Sequence, residues 1–308
     1  MISPLTVLVR QYLAHRRRLG FVLEAEHRSL PKLARFHQRI APGKPLQTSV
    51  ILKWAVQPGT GSSTYYAKRL MSARGLAKYC AAIDPRVQVP DYRLIGPWYR
   101  RATPHIYSDD EIRSLMLRAR ALPTFRSPLR PQTYETFIGL IACTGMRLRE
   151  AMELRLADVD FDGGMIRLRR CKFSPERVLP LHATTIAALR RYRDLRWRRH
   201  PFGEMFFVGR AGRPLRRTSV QHTFRAIRVG IAPNGERPAA RIHDLRHTFA
   251  TRHIARWSRD RAPVTHRLFL LSRYLGHRDF GDTWWYVSAD EKMLRRAGAR
   301  FENFHAAC

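Results

Sequence analysis

The sequence has 308 residues, and its 57 Lys and Arg outnumber its 24 Asp and Glu, which gives a formal net charge of +33. With 44% hydrophobic residues the chain can bury real cores, so the charge does not indicate a disordered basic tail. A surface this basic favours a polyanionic partner, and nucleic acid is the usual one. The charge is not gathered into one amphipathic segment, which argues against an acidic membrane as the partner.

Other classes of protein are also disfavoured. The apolar stretch 136–146 lies between Glu135 and Arg147 and is far shorter than the roughly 20 residues that span a bilayer. The N-terminus shows no signal-peptide pattern. The cysteines are far apart and form no CxxC pair, so we expect reduced thiols, no structural metal and a cytoplasmic location (Cys80, Cys143, Cys171 and Cys308).

Residues 1–90 carry apolar positions at helical spacing and predict a bundle of four short helices. The second helix is expected from about Ser29 to Ile40, with Pro31 tolerated in its first turn. Thr48 is a candidate cap for a third helix, and the fourth runs from about Tyr66 to Ala77. Arginines on the outer faces suit a small domain that clamps DNA.

A segment rich in proline follows and is interpreted as an interdomain linker over residues 91–105 (Pro85, Pro90, Pro97 and Pro104, with Gly96). A second domain is then predicted over residues 106–308. Ser108 and Glu111 have the spacing of a capping box, which predicts a helix over about 109–121, and another is expected over about 132–143.

The middle of this second domain predicts a β-hairpin. Residues 165–169 alternate in polarity, residues 178–181 follow, and Ser174-Pro175-Glu176 can turn the chain between them. The rest is again mostly helical, including the cationic stretch Leu189–His200, interpreted as a solvated or phosphate-facing helix. The predicted class is mostly α with a small antiparallel β-sheet: an N-terminal helical bundle and an α+β domain.

Two motifs place basic side chains where an anion could bind. In TGMRLRE (144–150), a glycine turn sets Arg147 against an apolar helix; a structural pair with Glu150 is an equally good explanation. In HDLRHTFA (243–250), helical spacing puts His243, Arg246 and His247 on one face. The HxxxH spacing lacks the glutamate and third ligand of a zinc hydrolase, so phosphate binding is favoured over metal binding.

Three further residues are unremarkable one by one. His277 follows Leu275-Gly276, Tyr286 ends DTWWY, and Lys172 lies near the end of the first hairpin strand. Two tryptophans beside Tyr286 are expected to pack its helix against the domain, which would leave Tyr286 at the surface of that core. Asp244 is a candidate cap for the helix that presents Arg246.

Taken together and in this order, the set resembles the active site of the tyrosine recombinase (integrase) family (Arg147, Lys172, His243, Arg246, His277 and Tyr286). The matching text is TGMRLRE, the CK before FSPERVLPLH, HDLRHTFAT, and LGH followed by Tyr286. The resemblance covers the second domain, and the N-terminal helices are similar in layout to the family's core-binding domain. TWWYVSA and KFSPERVLPLH resemble recombinases of transposons and plasmids.

The resemblance implies a site-specific recombinase that cuts and rejoins DNA through a 3′-phosphotyrosine, in integration, excision or transposition of a mobile element. Tyr286 would be the nucleophile, and Arg147 and Arg246 would clamp the phosphate with help from His277. His243 would accept or orient the tyrosine proton, and Lys172 would protonate the leaving oxygen. Glu150 is expected to orient Arg147. No metal or other cofactor is required.

The family also implies an assembly: double-stranded DNA and a homotetramer on two DNA sites, with sister recombinases as further partners. The tail Gly298–Cys308 is a candidate docking segment, with a frayed terminus as the alternative. Two other functions stay open. A type IB topoisomerase shares the chemistry, and a DNA-binding accessory protein could keep the site without using it.

Overall fold

The computed structural model describes residues 4–57, 59, 61–97, 103–125, 127–169, 176–231, 240–257, 264–277 and 279–288. The chain divides into two compact units, Met1–Ala102 and Thr103–Cys308. The division lies inside the proline-containing segment interpreted as a linker. In the described part of the chain, no helix is both long and apolar enough to cross a bilayer.

The first unit is a bundle of four helices, α1 (Pro4–Arg18), α2 (Glu24–Ile40), α3 (Thr48–Val56) and α4 (Ser63–Ala81). Their apolar faces meet in one core, in which Leu30, Leu33, Ile51, Leu70 and Leu76 are fully buried. The N-terminus of α4 is capped by the Ser62 hydroxyl, which accepts a hydrogen bond from the Tyr65 N–H. The four predicted helices are confirmed.

The boundary predicted for the second helix is wrong. Helix α2 begins at Glu24 and not near Ser29, so Pro31 lies inside the helix and not in its first turn. Proline has no main-chain N–H, so one intrahelical hydrogen bond is lost there. By helix propensity alone, the helix would be expected to break at this position. Burial of Leu30 and Leu33 on either side of the proline outweighs that cost, and Glu24 and Glu26 complement the positive end of the helix dipole.

The second unit is mainly helical. Its helices within the described residues are α5 (Asp109–Arg120), α6 (Arg130–Thr144), α7 (Leu148–Met152), α8 (Ala183–Arg199), α9 (Arg217–Ile227), α10 (Asp244–Trp257), α11 (Val264–Leu275) and α12 (Gly281–Ser288). Helix α6 lies at the centre and contacts α5, α8 and α10. Phe137, Ile138 and Ile141 on α6 are buried, which explains why the second half of this helix is almost wholly apolar.

A small antiparallel sheet packs on the same core. Strand β1 (Val159–Asp160) pairs with β2 (Met165–Leu168), and β2 pairs with β3 (Arg177–Pro180) in the register Leu168↔Arg177. Ile166 and Leu179 face each other across the hairpin and are fully buried. The predicted antiparallel pairing of the hairpin strands, the capping box of Ser108 with Glu111 and the mostly α class are confirmed. Ser174 and Pro175 of the predicted turn lie outside the described residues.

The cationic helix α8 was interpreted as a solvated or phosphate-facing surface, and one of its arginines does not fit that interpretation. Arg196 is fully buried. Its guanidinium donates to four main-chain carbonyls, those of His200, Phe202, Gly203 and Met205, at 2.7–3.2 Å. Arg196 therefore organises the chain that leaves α8, while its neighbour Arg198 remains exposed.

This difference predicts unequal losses of stability. Replacement Arg196→Ala should lower the free energy of unfolding by about 3 kcal/mol, because four carbonyl oxygens lose a charged donor at once. Arg198→Ala, two residues away on the same helix, should change it by less than about 0.5 kcal/mol. Urea unfolding followed by circular dichroism measures both. Equal midpoints for the two variants would contradict the structural role of Arg196.

Candidate active site

Arg147 is positioned by a sharp turn at the end of α6. Gly145 adopts a left-handed conformation (φ 62°) that ends the helix, and a Cβ atom at this position would lie 2.5 Å from the Phe249 ring. Arg147 then takes the position just before α7. Its guanidinium donates to the Gly276 carbonyl oxygen at 2.5 Å and to Glu150 Oε1 at 2.9 Å.

Glu150 is buried and binds two arginines. Its Oε2 accepts from the Arg147 main-chain N–H and from Arg177 Nη2, both at 2.8 Å. Burial by itself would raise the pKa of this carboxyl, but the hydrogen bond and charge of Arg177, together with Arg147, hold the pKa below its ordinary value. The ionised carboxylate therefore binds both the main chain and the guanidinium of Arg147, and that it orients Arg147 for a ligand stays a prediction.

Arg246, on the first turn of α10, is only 2% exposed. It donates to the Gly145 carbonyl at 2.9 Å, to the Leu275 carbonyl at 2.8 Å and to His277 Nε2 at 2.9 Å. Burial lowers the pKa of this guanidinium to about 10, so it stays cationic at neutral pH. An anion that enters the site therefore meets a buried positive charge whose donors already have partners.

The tautomer of His277 follows from its two neighbours. A guanidinium can only donate, so Nε2 of His277 accepts from Arg246, and the ring proton lies on Nδ1. Nδ1 then donates to the Thr283 hydroxyl at 2.6 Å. Thr283 is fully buried on α12, three residues before Tyr286, and so fixes the imidazole relative to that tyrosine.

Tyr286 lies among these groups, and the expectation that it sits at the surface of the core is wrong. Its side chain is 3% exposed, because α12 packs it against Ile254 and Leu271 in one apolar cluster. Its ring stacks on His277 at a centroid distance of 5.8 Å. Burial raises the pKa of the phenol, while the charge and hydrogen bond of Arg246 oppose that rise.

The two tryptophans before Tyr286 have different roles. Trp285 packs partly buried against the same cluster and contacts the His247 ring edge-on at 5.3 Å. Trp284 is 53% exposed, so it does not pack the helix against the domain as predicted. The buried Thr283 and Tyr286, three positions apart, mark the inward face of α12, and Trp284 is turned about 100° away from Thr283.

His243 and His247 form an imidazole pair beside the tyrosine. The rings meet edge-on at 4.9 Å, and His247 lies 5.3 Å from Tyr286. Desolvation, followed by Arg246, lowers the pKa of His243 to about 4. Desolvation and His243 lower the pKa of His247 to about 3. Both rings are therefore neutral at pH 7, and His243 is exposed enough to meet a ligand.

Asp244 does not cap α10 in the predicted way. It is the first residue of the helix, and its carboxylate reaches back to the Arg241 main-chain N–H at 2.8 Å and to the Arg241 guanidinium. This geometry pins the loop before the helix, which carries His243. An N-cap, by contrast, would lie outside the helix and accept from a residue after it.

The structure thus brings together Arg147, Arg246, His277 and Tyr286, with His243 at the edge. Lys172 lies outside the described residues.

Sequence reasoning missed Thr283 and Arg177. Alternation in β3 was a signal for Arg177, since it shares a strand face with the buried Leu179. Within the described residues, no three His, Cys, Asp or Glu side chains converge as a metal site would require.

Comparison with known proteins finds similar sequences over almost the whole chain. The sequence profile of the phage integrase family matches residues 108–293. The chain is 36% identical to y4rB of Sinorhizobium fredii, which carries the name of an integrase/recombinase, over 98% of both chains. It is 29% identical to the tyrosine recombinase XerC of Stutzerimonas stutzeri, over 93% of this chain and 91% of XerC.

Solved structures show the same fold. The integrase of transposon Tn1549, in complex with a circular intermediate DNA, matches with a TM-score of 0.68 over 97% of this chain and all of that one, at 15% identity. A λ integrase dimer bound to a core site matches with a TM-score of 0.66 over 93% of this chain and 77% of that one.

The buried carboxylate predicts a pH-dependent stability. Because the pKa of Glu150 is depressed in the folded chain, its contribution is fully present above its unfolded pKa of about 4.5 and is lost as the pH falls through the folded value. At pH 7, Glu150→Gln should lower the free energy of unfolding by about 3 kcal/mol. The difference from wild type should shrink below pH 4.5.

Urea unfolding of both proteins at several pH values between 3 and 7 tests this. Glu153→Gln is the matched control, since its pair with Arg149 is largely exposed and should contribute less than about 1 kcal/mol. A Glu150→Gln deficit that stays constant down to pH 3 would show that the charge of Glu150 is not what stabilises the fold.

Proposed function

We propose that this chain, which belongs to the phage integrase family of tyrosine recombinases, breaks and rejoins DNA strands at specific sites with Tyr286 as its nucleophile. The observation that carries the proposal is the convergence of Arg147, Arg246 and His277 around one buried tyrosine. Two guanidiniums and a phenol next to each other are suited to a phosphodiester, and the net charge of +33 is suited to DNA.

In the reaction, the Tyr286 oxygen attacks the scissile phosphorus and the bond to the 5′ oxygen breaks. The products are a 3′-phosphotyrosine and a free 5′-hydroxyl, so the energy of the bond is kept in the covalent ester for rejoining. The raised pKa keeps the free phenol protonated, and a base must therefore take its proton. His243 is neutral and can accept this proton. The negative charge of a bound phosphate would raise the pKa of that imidazole towards neutral pH, where a general base works best.

Charge on the non-bridging oxygens is neutralised by Arg147 and Arg246. Each presents a planar fork that matches two phosphate oxygens. His277 joins them when Arg246 turns to the phosphate. The Thr283 hydroxyl can donate as well as accept, so Nδ1 can become the acceptor and Nε2 the proton donor. Thr283 thereby holds the His277 imidazole in the DNA-free site, where Nε2 accepts from Arg246, and in the phosphate-bound site, where Nε2 would donate to the phosphate.

The remaining roles rest on the family. Lys172 would protonate the leaving 5′ oxygen. Since two arginines supply the charge that other enzymes take from metal ions, we propose that the reaction needs neither metal nor other cofactor. Residues 1–90 would form the core-binding clamp, 91–105 the linker and 106–308 the catalytic domain.

The setting of the reaction is proposed from the relatives. The Tn1549 match is a transposon integrase on circular intermediate DNA, which supports movement of a mobile element as the process. The working assembly would be a homotetramer on two DNA sites, with sister recombinases where the element encodes them, and would be found on the nucleoid. The tail Gly298–Cys308, proposed as a docking segment, lies outside the described residues.

Covalent trapping tests the proposed function. Incubated in EDTA with nicked duplexes from the DNA that flanks its gene, the wild type should form a protein–DNA adduct that survives a denaturing gel. Tyr286→Phe should bind the same DNA and form no adduct, because only the nucleophilic oxygen is removed. Tyr274→Phe, which removes a neighbouring hydroxyl, should still form it.

The outcomes separate the alternatives. An adduct that persists in Tyr286→Phe would show that the nucleophile is wrongly assigned, and an adduct that needs a divalent metal would refute metal independence. Binding without any adduct, even with neighbouring gene products added, would favour the accessory-protein alternative. Relaxation of supercoiled DNA without pairing of two sites would favour the topoisomerase-like one.

A second prediction concerns the two-arginine clamp, which is the pair Arg147 and Arg246 proposed to bind the phosphate. Arg246→Lys keeps the charge but loses the fork, so the rate of adduct formation should fall by about 10²–10³ with DNA affinity changed little. Arg256→Lys is the matched control, since Arg256 is exposed on the same helix. Single-turnover cleavage at saturating DNA measures both rates. Equal rates would remove Arg246 from the site.

A further inference from the structure

We propose that Arg177, at the start of β3, is a positioning residue that sets the two-arginine clamp. The inference rests on the proposed function, because the clamp has a role only if a phosphate binds there. Arg177 was not among the predicted site residues. Its side chain is 8% exposed, and it contacts both the carboxylate that holds Arg147 and the helix end that holds Arg246.

The end of α11 provides the first observation. Three consecutive main-chain carbonyls there each accept from a different arginine. Tyr274 O accepts from Arg177 Nε at 2.7 Å. Leu275 O accepts from Arg246 Nη2 at 2.8 Å, and Gly276 O from Arg147 Nη2 at 2.5 Å. The order of the carbonyls along the chain therefore fixes the order of the three guanidiniums.

The second observation is the shared carboxylate. Arg177 Nη2 donates to Glu150 Oε2 at 2.8 Å, while the main chain and guanidinium of Arg147 donate to the two oxygens of the same group. Arg177 thus closes a ring of contacts that runs from Glu150 through β3 to the end of α11 and returns through Arg147. Groups joined in a closed ring of hydrogen bonds can adopt fewer relative positions than two groups joined as a single pair.

Burial makes this ring a constraint on the clamp. The Arg147 side chain is 33% exposed, whereas Arg177 and Glu150 are 8% and 2% exposed. The position of the outer arginine is therefore decided by the inner pair. A lysine at 177 keeps a positive charge, but its single nitrogen cannot span the Tyr274 carbonyl and Glu150 as the guanidinium does. Glu150 and the end of α11 would then move independently.

The expected consequence is a loss of rate and not of binding. Small displacements of a catalytic group, of about 1 Å, can cost about 10² in rate. We therefore expect Arg177→Lys to slow single-turnover adduct formation by about 10–100-fold on a nicked phosphodiester substrate, with DNA affinity within about 3-fold of wild type. Affinity is preserved because it comes mainly from many backbone contacts elsewhere.

A substrate with a methylphosphonate at the scissile position distinguishes positioning from general damage. Replacing one non-bridging oxygen by methyl removes the charge that Arg147 neutralises. If Arg177 acts through Arg147, Arg177→Lys should cost less than about 3-fold on this substrate. Glu150→Gln breaks the same ring at its other side and should show the same substrate dependence, which covers the case in which Arg177→Lys folds poorly.

Arg196→Lys is the matched control, because Arg196 is also a buried arginine bonded to main-chain carbonyls, but none of its partners touches the clamp. It should lower stability and leave the cleavage rate of the folded protein unchanged. Equal loss on both substrates, or no loss for Arg177→Lys, would overturn the inference alone. A wild type that forms no adduct would overturn the proposed function, and the inference with it.

Discussion

Burial of the Arg246 charge is the constraint on which the rest of the site depends. A guanidinium removed from water costs several kcal/mol unless its donors meet acceptors. Here the acceptors are the Gly145 and Leu275 carbonyls and the His277 ring. Two helix ends, those of α6 and α11, must therefore point at α10, and both end in glycines with positive φ, Gly145 and Gly276, which expose the last carbonyls.

This arrangement also explains how the site is kept ready before DNA arrives. Arg246 is already held by main-chain oxygens, so little side-chain entropy remains to be lost when a phosphate binds. The phosphate must, however, compete with His277 and Tyr286 for the guanidinium. The same contacts that stabilise the DNA-free fold hold Tyr286 away from solvent. Under the proposed function, their exchange for phosphate oxygens would free Tyr286 and His277 together.

Local motifs singled out Arg147 and Arg246, the Ser108 cap and the hairpin, because each depends on spacing within a few residues. His277 and Tyr286 were unremarkable by themselves and were expected only from the resemblance to tyrosine recombinases. Burial was predicted less well. Pro31 inside α2, Arg196 in the core and Tyr286 below the surface each depend on tertiary contacts that outweigh local preference, and no pattern within a few residues records them.

The same point changes what the net charge means. Arg177, Arg196 and Arg246 are buried, and their guanidiniums are occupied by main-chain oxygens or by Glu150. These charges hold the fold and the site together, and only that of Arg246 is proposed to meet a DNA phosphate. The number of counterions released when DNA binds depends on how many cationic side chains reach phosphates, so buried arginines such as Arg196 do not add to it and the total of +33 overstates it. A high arginine content serves two purposes here, since the forked side chain that recognises phosphate also satisfies several carbonyls at once.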